Sequence, residues 1–306
     1  MRPHLTIFGY FGEQSFSNEN QKALAAFFDV QYVIGQKPFH RSDLIALLSK
    51  TEILALTPRV GKQLDVTIFD VLPNIRCIVL PTTGTEWIDV EALQKKGLKV
   101  VNTPNYSTTA CAEYTMGMLL TLSRHLHQAV LALHQQIQVP PGWDLAHKKM
   151  AIFGFGNVGQ ELARLASAFR MQVQYYDPYV EHQQYTKVTR IQDLLTDIDV
   201  LCLCSALTSE TFEIFNSERL SFLSKPITII NTARPQLVDM TALVNCLGTS
   251  VQKYAVDIGY LDMSDYKSFL EHPDIIATPH YSWYTRESIM NGQKQWIQQI
   301  IEHGLG

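Results

Sequence analysis

Gly154-Phe155-Gly156-Asn157-Val158-Gly159 is the stretch that decides the fold of this chain. It follows Lys149–Phe153, which has the composition of a short buried strand, and it precedes helical apolar spacing from Gln160 to Phe169. A G-x-G-x-x-G pattern at a strand-to-helix turn is typical of a site that holds a dinucleotide pyrophosphate. The first glycine permits the tight turn, the second lets the backbone approach the phosphates, and the third lets the helix pack against the strand.

An acidic residue follows this motif where a ribose-binding carboxylate is expected. Asp177 lies 18 residues after Gly159, at the end of Met171–Tyr176, which is predicted to be the second strand. Its carboxylate would accept hydrogen bonds from a ribose 2′-hydroxyl and repel a 2′-phosphate. Alternatively, Asp177 is a turn residue at the end of a strand, before Pro178. Together the two signals predict a site that binds NAD rather than NADP.

Length and composition are typical of a globular protein with about two domains. The chain has 306 residues, of which 46% are hydrophobic, and a net charge of −4. No basic surface suggests a nucleic-acid partner, and no apolar run is long enough to cross a membrane. The N-terminal sequence lacks the apolar stretch of a signal peptide, so we expect a cytoplasmic protein.

The cysteines are scattered, odd in number and mostly set in apolar stretches, so we expect reduced core residues. They are Cys77, Cys111, Cys202, Cys204 and Cys246. Cys202 and Cys204, the one pair close together in the sequence, would share one face of a strand but have no partner ligands nearby. No metal site is therefore predicted.

Strands alternate with helices twice along the chain, which indicates two mostly parallel, doubly wound (Rossmann-like) α/β sheets. A long helix is predicted between the alternations, from about Thr108 to Gln136. Because the glycine motif opens the second alternation, we expect a cofactor domain over residues 105–282. It would be inserted into a substrate domain formed by residues 1–104 and 283–306.

Two candidate catalytic side chains follow predicted strands of the second domain. Ligands of open α/β sheets bind outside the carboxyl ends of the strands, which is where Arg234 and His280 fall. A guanidinium can grip a carboxylate through two parallel bonds, and histidine exchanges protons near neutral pH. The alternatives are an arginine paired with a surface acid such as Asp239, and a hydrogen-bonded core histidine.

Two aspartates lie in the segment between them. Asp257 ends a strand, so it could face the nicotinamide end of the cofactor. Asp262 follows in a loop that could reach His280, where a carboxylate would raise the pKa of the imidazole and favour its acid form. Each could instead be an ordinary strand-end or turn residue.

Further motifs lie along nearly the whole chain. They are Gly84-Thr85-Glu86-Trp87-Ile88-Asp89, Asn102-Thr103-Pro104, Ala112-Glu113, Leu207-Thr208-Ser209-Glu210-Thr211, Asn231-Thr232-Ala233-Arg234, Val238-Asp239 and Thr278-Pro279-His280. With the glycine motif and Asp177, they resemble the D-isomer-specific 2-hydroxyacid dehydrogenases, a family that includes phosphoglycerate, glycerate/hydroxypyruvate and D-lactate dehydrogenases.

The resemblance implies a catalytic role for three residues. Arg234 matches the arginine that holds the substrate carboxylate and carbonyl, and His280 matches the general acid/base. Asp262 falls where the family has a glutamate that pairs with this histidine. For the substrate it further implies contacts with Thr83 and Gly84, through a turn whose amides bind the carboxylate, and with Arg59.

The resemblance also implies a set of NAD contacts: Asp257 at the carboxamide, Asp177 at the ribose, and other residues in the matched motifs. These others are Gly154, Phe155, Gly156, Asn157, Val158, Ser205, Thr211, Thr232 and Ala233. A homodimer is implied as well, although the segment 128–147 is shorter than the usual arm that embraces the partner.

Several positions depart from the family pattern. Asp262 stands in place of glutamate, and Pro235 in place of the glycine that usually follows the arginine. The shorter side chain withdraws its carboxylate by roughly 1.5 Å, and a misplacement of about 1 Å can cost a hundredfold in rate.

Two functions follow from these observations. The first is an NAD-dependent oxidoreductase that transfers a hydride between nicotinamide and C2 of a small D-2-hydroxy or 2-oxo acid. The second is an NAD(H)-sensing binding protein on the same scaffold, which the departure at Asp262 would favour. A methyl-transfer enzyme is disfavoured by Arg234 and His280, and the sequence does not select one 2-hydroxy acid.

Overall fold

The computed structural model describes residues 2–135, 138–258, 272 and 274–305. It divides into two compact units: Met1–Tyr106 with Thr285–Gly306, and Ser107–Tyr284. Each unit is built on one sheet whose strand pairs are all parallel. The predicted fold class of two parallel-sheet α/β domains is confirmed. Asp262 lies outside the described residues.

The smaller unit has a five-stranded sheet in the order β2-β1-β3-β4-β5. Its strands are β1 His4–Gly9, β2 Asp29–Ile34, β3 Ile53–Ala55, β4 Cys77–Val79 and β5 Lys99–Val101. Its helices are α1 Asn18–Phe27, α2 Arg41–Leu48, α3 Pro58–Gly61 and α4 Val90–Lys95, with 3₁₀ helices at Gly12–Ser15 and Val66–Val71.

The last helix, which we label α11 (Arg286–Gly304), belongs to the smaller unit and covers one face of its sheet. Trp296 and Ile300 are buried there against strand residues such as Ile53. The indole Nε1 of Trp296 donates to the carbonyl of Val79 at 3.1 Å, so the helix is fixed by a polar contact as well as by packing. This unit is therefore formed by two separate stretches of the chain, residues 1–106 and 285–306.

The larger unit has a seven-stranded sheet in the order β12-β11-β10-β9-β6-β7-β8. Its strands are β6 Lys149–Phe153, β7 Gln172–Tyr176, β8 Thr186–Lys187, β9 Val200–Leu203, β10 Ile227–Asn231, β11 Val251–Asp257 and β12 Ile275–Thr278. The chain runs from β6 outward in one direction and then restarts at β9 on the other side of β6. The strand order therefore reverses between β6 and β9, which is where ligands of such sheets bind.

Helices cover both faces of this sheet. The helices of this unit are α5 Thr108–Ser123, α6 Leu126–Gln135, α7 Asn157–Ala168, α8 Ile191–Leu195, α9 Ser217–Leu220 and α10 Met240–Cys246, with a 3₁₀ helix at Pro235–Leu237. Alternate residues of β6 are buried in two separate apolar cores. Ala151 and Phe153 belong to one core, and Met150 and Ile152 belong to the other. This alternation is that of a strand buried on both faces. None of the helices in the described ranges is long and apolar enough to span a membrane.

The single helix predicted from Thr108 to Gln136 is wrong, because the structure breaks it into α5 and α6. His125 has a φ of 51°, in the left-handed region that ends a helix. The carbonyl of Ser123 accepts a bond of 2.9 Å from the N–H of Trp143, on the segment that returns to the sheet. The apolar spacing of the sequence continues through His125, so the sequence pattern does not indicate the break. The break coincides with the tertiary hydrogen bond between Trp143 and Ser123.

Candidate active site

Six loops meet at the carboxyl edge of the seven-stranded sheet, because parallel strands all end there. They carry Gly154 after β6, Asp177 after β7, Ser205 after β9, Arg234 after β10, Asp257 at the end of β11 and His280 after β12. Neighbouring strands are about 4.8 Å apart, so β10 and β12, on either side of β11, lie roughly 10 Å apart. The structure thus brings the candidate residues of this unit to one edge.

Gly154 makes the turn out of β6 in a conformation that suits only glycine. Its φ is 89°, and a Cβ atom placed on it would lie 2.6 Å from the Cα of Ser205. The turn is therefore pressed against the backbone that leaves β9. The positive φ of Gly154 agrees with the tight turn that the first glycine of the motif was predicted to permit.

The other two glycines have opposite surroundings. A Cβ on Gly159 would lie 2.4 Å from the carbonyl oxygen of Gly154, so α7 packs directly on the turn. Apart from its immediate chain neighbours, no described residue has an atom within 4 Å of a Cβ placed on Gly156, at the start of α7. The open space beside Gly156, at a helix N-terminus, fits the pyrophosphate of a dinucleotide.

The remaining motif residues support this turn rather than line it with side chains. The ring of Phe155 is fully buried and stacks on Tyr175 with centroids 3.7 Å apart, which leaves its backbone to face a ligand. Asn157 and Val158 form the first turn of α7. The side-chain amide of Gln160 donates to the carbonyl of Phe155 at 2.9 Å and closes the turn from the helix side.

Asp177 is tied to the glycine turn by its own carboxylate. One oxygen, Oδ2, accepts a 2.7 Å bond from the N–H of Phe155. The other, Oδ1, accepts from the N–H groups of Tyr179 and Val180 at 2.8 and 3.0 Å. A carboxylate has about four acceptor positions, so one remains for a ribose hydroxyl.

The loop after β9 supplies a hydroxyl close to the glycine turn. Ser205 Oγ is buried and has no hydrogen-bond partner among the described residues. A buried hydroxyl without a hydrogen bond is unfavourable, unless a ligand or a water molecule supplies the missing partner. Thr211, the other predicted contact in this loop, donates its hydroxyl to the carbonyl of Ala206 at 2.7 Å, so it shapes the loop.

Asn231 fixes the turn that presents Arg234. Its buried side-chain amide donates to the carbonyl of Arg234 at 2.7 Å and to the hydroxyl of Tyr254 at 3.0 Å. Its oxygen accepts from the N–H of Ala233 at 3.1 Å. The half-buried Arg234 side chain folds back so that Nη1 donates to the carbonyl of Ala233 at 2.8 Å. The turn is therefore set by a side chain that the sequence had shown only as part of a motif.

Helix α5 contacts the same turn through a residue that sequence reasoning missed. The hydroxyls of Thr115 and Thr232 are 2.7 Å apart, and Thr115 also donates to the carbonyl of Cys111 at 2.7 Å. Thr115 is fully buried. The bond back along its own helix leaves the Thr115 oxygen as the acceptor for Thr232, so the threonine pair orients Thr232.

The backbone of His280 is in the left-handed region, with a φ of 59°. Its N–H donates to the carbonyl of Thr278 at 3.0 Å, across Pro279. Such a conformation is uncommon outside glycine, costs on the order of 1 kcal/mol and clusters at functional sites. The partner predicted for His280, Asp262, lies outside the described residues.

The thiols near this edge are not nucleophiles at neutral pH. Burial raises the pKa of Cys204 to about 12, and it also raises the pKa of Cys202 well above its ordinary value. Burial also raises the pKa of Cys111, against smaller lowering by its bonds to Ser107 and Ser282. Since the thiolate is the reactive form, these cysteines act as core residues.

The predicted substrate contacts of the smaller unit lie at the carboxyl edge of its own sheet. The loop after β4 is closed by Trp87, whose Nε1 lies 3.1 Å from both the Thr82 hydroxyl and the Gly84 carbonyl. Within the part of the chain that the structure describes, the N–H groups of Thr83 and Gly84 donate to no protein acceptor. They are thus available to an anion. Arg59 is exposed in the short helix α3, which follows β3, rather than on the loop expected there.

Comparison with known proteins places this site in a family. Residues 116–282 match the family model described as D-isomer specific 2-hydroxyacid dehydrogenase, NAD binding domain. This range contains the glycine motif, Arg234 and His280.

Curated relatives match over most of the chain. A glyoxylate reductase of Pyrococcus horikoshii is 28% identical over 93% of this chain and 87% of its own length. A D-3-phosphoglycerate dehydrogenase of Bacillus subtilis is 27% identical over 89% of this chain, which spans only 55% of that protein. The structure of a D-lactate dehydrogenase from Aquifex aeolicus, complexed with NAD and lactic acid, is 22% identical with a TM-score of 0.81, covering 99% of this chain and 96% of that one. At 22% identity, the match to the D-lactate dehydrogenase structure shows a shared fold alone.

Proposed function

The chain belongs to the D-isomer specific 2-hydroxyacid dehydrogenase family, and we propose that it is an NAD-dependent enzyme that interconverts a small 2-oxo acid and the D-2-hydroxy acid. The single observation that carries the proposal is the placement of Arg234 and His280 at one sheet edge with the glycine turn and Asp177. We further propose that residues 105–282 form the cofactor domain, and residues 1–104 with 283–306 the substrate domain.

Arg234 is proposed to hold the substrate carboxylate and polarise the carbonyl. The turn that carries it is fixed by Asn231 at the carbonyl of Arg234 and the N–H of Ala233, so the guanidinium starts from a rigid base. A preorganised cation facing the developing negative charge on the oxygen is worth more than one that must reorient during reaction. Thr83, Gly84 and Arg59 are proposed as further substrate contacts.

His280 is proposed to give the carbonyl oxygen its proton during reduction and to take it back during oxidation. Bound NADH supplies the hydride to C2 of the oxo acid. Asp262 is proposed to stabilise the protonated imidazole, in the place of the family's glutamate. The residues proposed to hold the cofactor are Gly154, Phe155, Gly156, Asn157, Val158, Asp177, Ser205, Thr211, Thr232 and Ala233.

We also propose a homodimer and a cytoplasmic location. The dimer is supported by α6, where Leu126, Val130 and Leu131 are 50%, 63% and 47% exposed. Next to them, His127 Nδ1 and Gln128 Oε1 are buried with no hydrogen-bond partner in the described part of the chain. Exposed apolar side chains beside unsatisfied polar atoms favour a covered surface. The apolar surroundings of the cysteines, all of them free thiols, support a reducing compartment.

The proposed function is tested by oxidation of NADH with a panel of 2-oxo acids: glyoxylate, hydroxypyruvate, pyruvate and a bulky aromatic acid. We expect turnover of at least one acid by the wild-type chain and a D-configured product. Arg234→Lys is expected to lower kcat/KM by about 100-fold, because a point charge replaces the planar fork that matches a carboxylate. Tight binding of NADH without reduction of any acid would instead support the NAD(H)-sensing alternative.

Asp177→Asn is expected to reduce the preference for NADH over NADPH by about tenfold or more. The variant loses the charge that repels a 2′-phosphate, and its amide oxygen can still accept the bonds from Tyr179 and Val180. Its NH₂ group then faces the N–H of Phe155, so that hydrogen bond is lost. The measurement is the ratio of kcat/KM for the two cofactors. Asp193→Asn is a matched control, because Asp193 is an aspartate of the same unit that pairs with Arg190 at the surface. An unchanged ratio in Asp177→Asn would remove Asp177 from cofactor selection.

A further inference from the structure

Three donors converge on the carboxylate of Asp257, one from the last residue of β12 and two from the loop that follows it. Oδ1 accepts from the hydroxyl of Thr278 at 2.6 Å and from the N–H of Tyr281 at 2.9 Å. Oδ2 accepts from the N–H of Ser282 at 2.8 Å. Asp257 is only 2% exposed, so these bonds form away from water. The carboxylate is therefore a fixed anchor for this loop.

His280 lies at the centre of the anchored segment. The bonds to Thr278 and Ser282 fall two residues before it and two residues after it. Between them the backbone of His280 holds its φ of 59°. A residue other than glycine keeps such a conformation only where the surroundings over-determine it, and here the Asp257 carboxylate provides that constraint.

Helix α5 supports the same two anchor points from its own side. The side chain of Tyr114 lies close to that of Thr278. The thiol of Cys111, one turn earlier, contacts the hydroxyl of Ser282 at 3.8 Å. Both ends of the loop are held by buried or half-buried polar groups.

We propose that Asp257 and Thr278 are positioning residues, which tie the loop after β12 to the end of β11 and so set the place of the His280 imidazole. The inference rests on the proposed function, since it assigns a cause to the placement of the general acid. It gives Asp257 a role different from the carboxamide contact predicted from the sequence. We call the hydrogen bonds between Asp257 and the residues Thr278, Tyr281 and Ser282 the tether. If Asp257 and Thr278 have this role, loss of the tether lowers the rate of the chemical step and leaves NADH binding unchanged.

The test compares Thr278→Val with Thr278→Ser. Valine has the shape of threonine but no hydroxyl, whereas serine keeps the hydroxyl that donates to Asp257. We expect kcat to fall about tenfold or more in Thr278→Val, because misplacement of a catalytic group by about 1 Å costs up to a hundredfold. Thr278→Ser is expected to stay within about threefold of wild type. The dissociation constant of NADH, measured by fluorescence titration, is expected to be the same in both.

Asp257→Asn supplies a second, independent variant. An asparagine can turn its oxygen toward Thr278 and Tyr281, but its NH₂ group then faces the N–H of Ser282, donor against donor. We expect a fall in kcat at saturating NADH, with the dissociation constant changed by less than about threefold. A weakened affinity for NADH with an unchanged kcat would overturn the inference, as would equal kcat values for the two Thr278 variants.

Hydrogen exchange separates this inference from the proposed function. The amides of Tyr281 and Ser282 are expected to lose protection in Thr278→Val and Asp257→Asn and to keep it in Thr278→Ser. This readout needs no turnover, so it decides the tether even if the wild-type chain reduces no 2-oxo acid. Unchanged protection in both tether-breaking variants would refute it.

Discussion

His280→Asn is expected to lower kcat for reduction of a 2-oxo acid by about 10³-fold, because the transition state loses its proton donor. Asparagine is the suitable replacement, since it adopts the left-handed backbone that His280 requires, at a φ of 59°, and cannot exchange a proton near neutral pH. The dissociation constant of NADH should change by less than about threefold. Steady-state kinetics at saturating NADH and a binding titration together check both parts.

His272→Asn is the matched control for this variant. His272 stands at the amino end of β12, where its Nδ1 accepts from the N–H of Asp274 at 3.2 Å, while His280 follows the carboxyl end of the same strand. The control removes one imidazole from the same unit without touching the candidate site, and we expect full activity. A His280→Asn enzyme with more than about a tenth of wild-type kcat would exclude His280 as the general acid.

The sequence identified the sheet edge at which the candidate site lies, because one rule located several residues at once. Arg234, Asp257 and His280 each follow an apolar strand, and parallel strands of one sheet end on the same side. The glycine motif was as informative, since each glycine has a separate steric reason that the structure reproduces at Gly154 and Gly159. Local patterns were sufficient for these features.

The contacts that hold the loops in place could not be predicted in the same way. The pairing of Thr115 with Thr232 joins residues 117 positions apart, and neither side chain forms a pattern with its own neighbours. The three donors to Asp257 include two backbone amides, which carry no signature in the sequence. The break at His125 likewise depended on the Trp143 contact with Ser123. Each of these is decided by tertiary packing, which residue types alone do not encode.

Gly159→Ala and Gly156→Ala add the same methyl group three residues apart, and we expect them to fail in opposite ways. At Gly159 the methyl would lie 2.4 Å from the carbonyl oxygen of Gly154, a backbone atom that cannot swing away. The helix must move off the turn, at an expected cost of roughly 3 kcal/mol in the free energy of unfolding. For a domain of this size that corresponds to a fall in Tm of about 6–12 °C.

At Gly156 the same methyl enters open space, with a backbone of φ −67° and ψ −163° that alanine adopts without strain. Stability is expected to stay within about 1 kcal/mol of wild type, since the change at this helix cap is small. The affinity for NADH should fall about 100-fold, because the methyl occupies the space through which the pyrophosphate approaches the backbone. Thermal unfolding of both variants tests the predicted stabilities, and NADH titration of both tests the predicted affinities. A Gly156→Ala chain that binds NADH as tightly as wild type would show that the pyrophosphate does not lie at this turn.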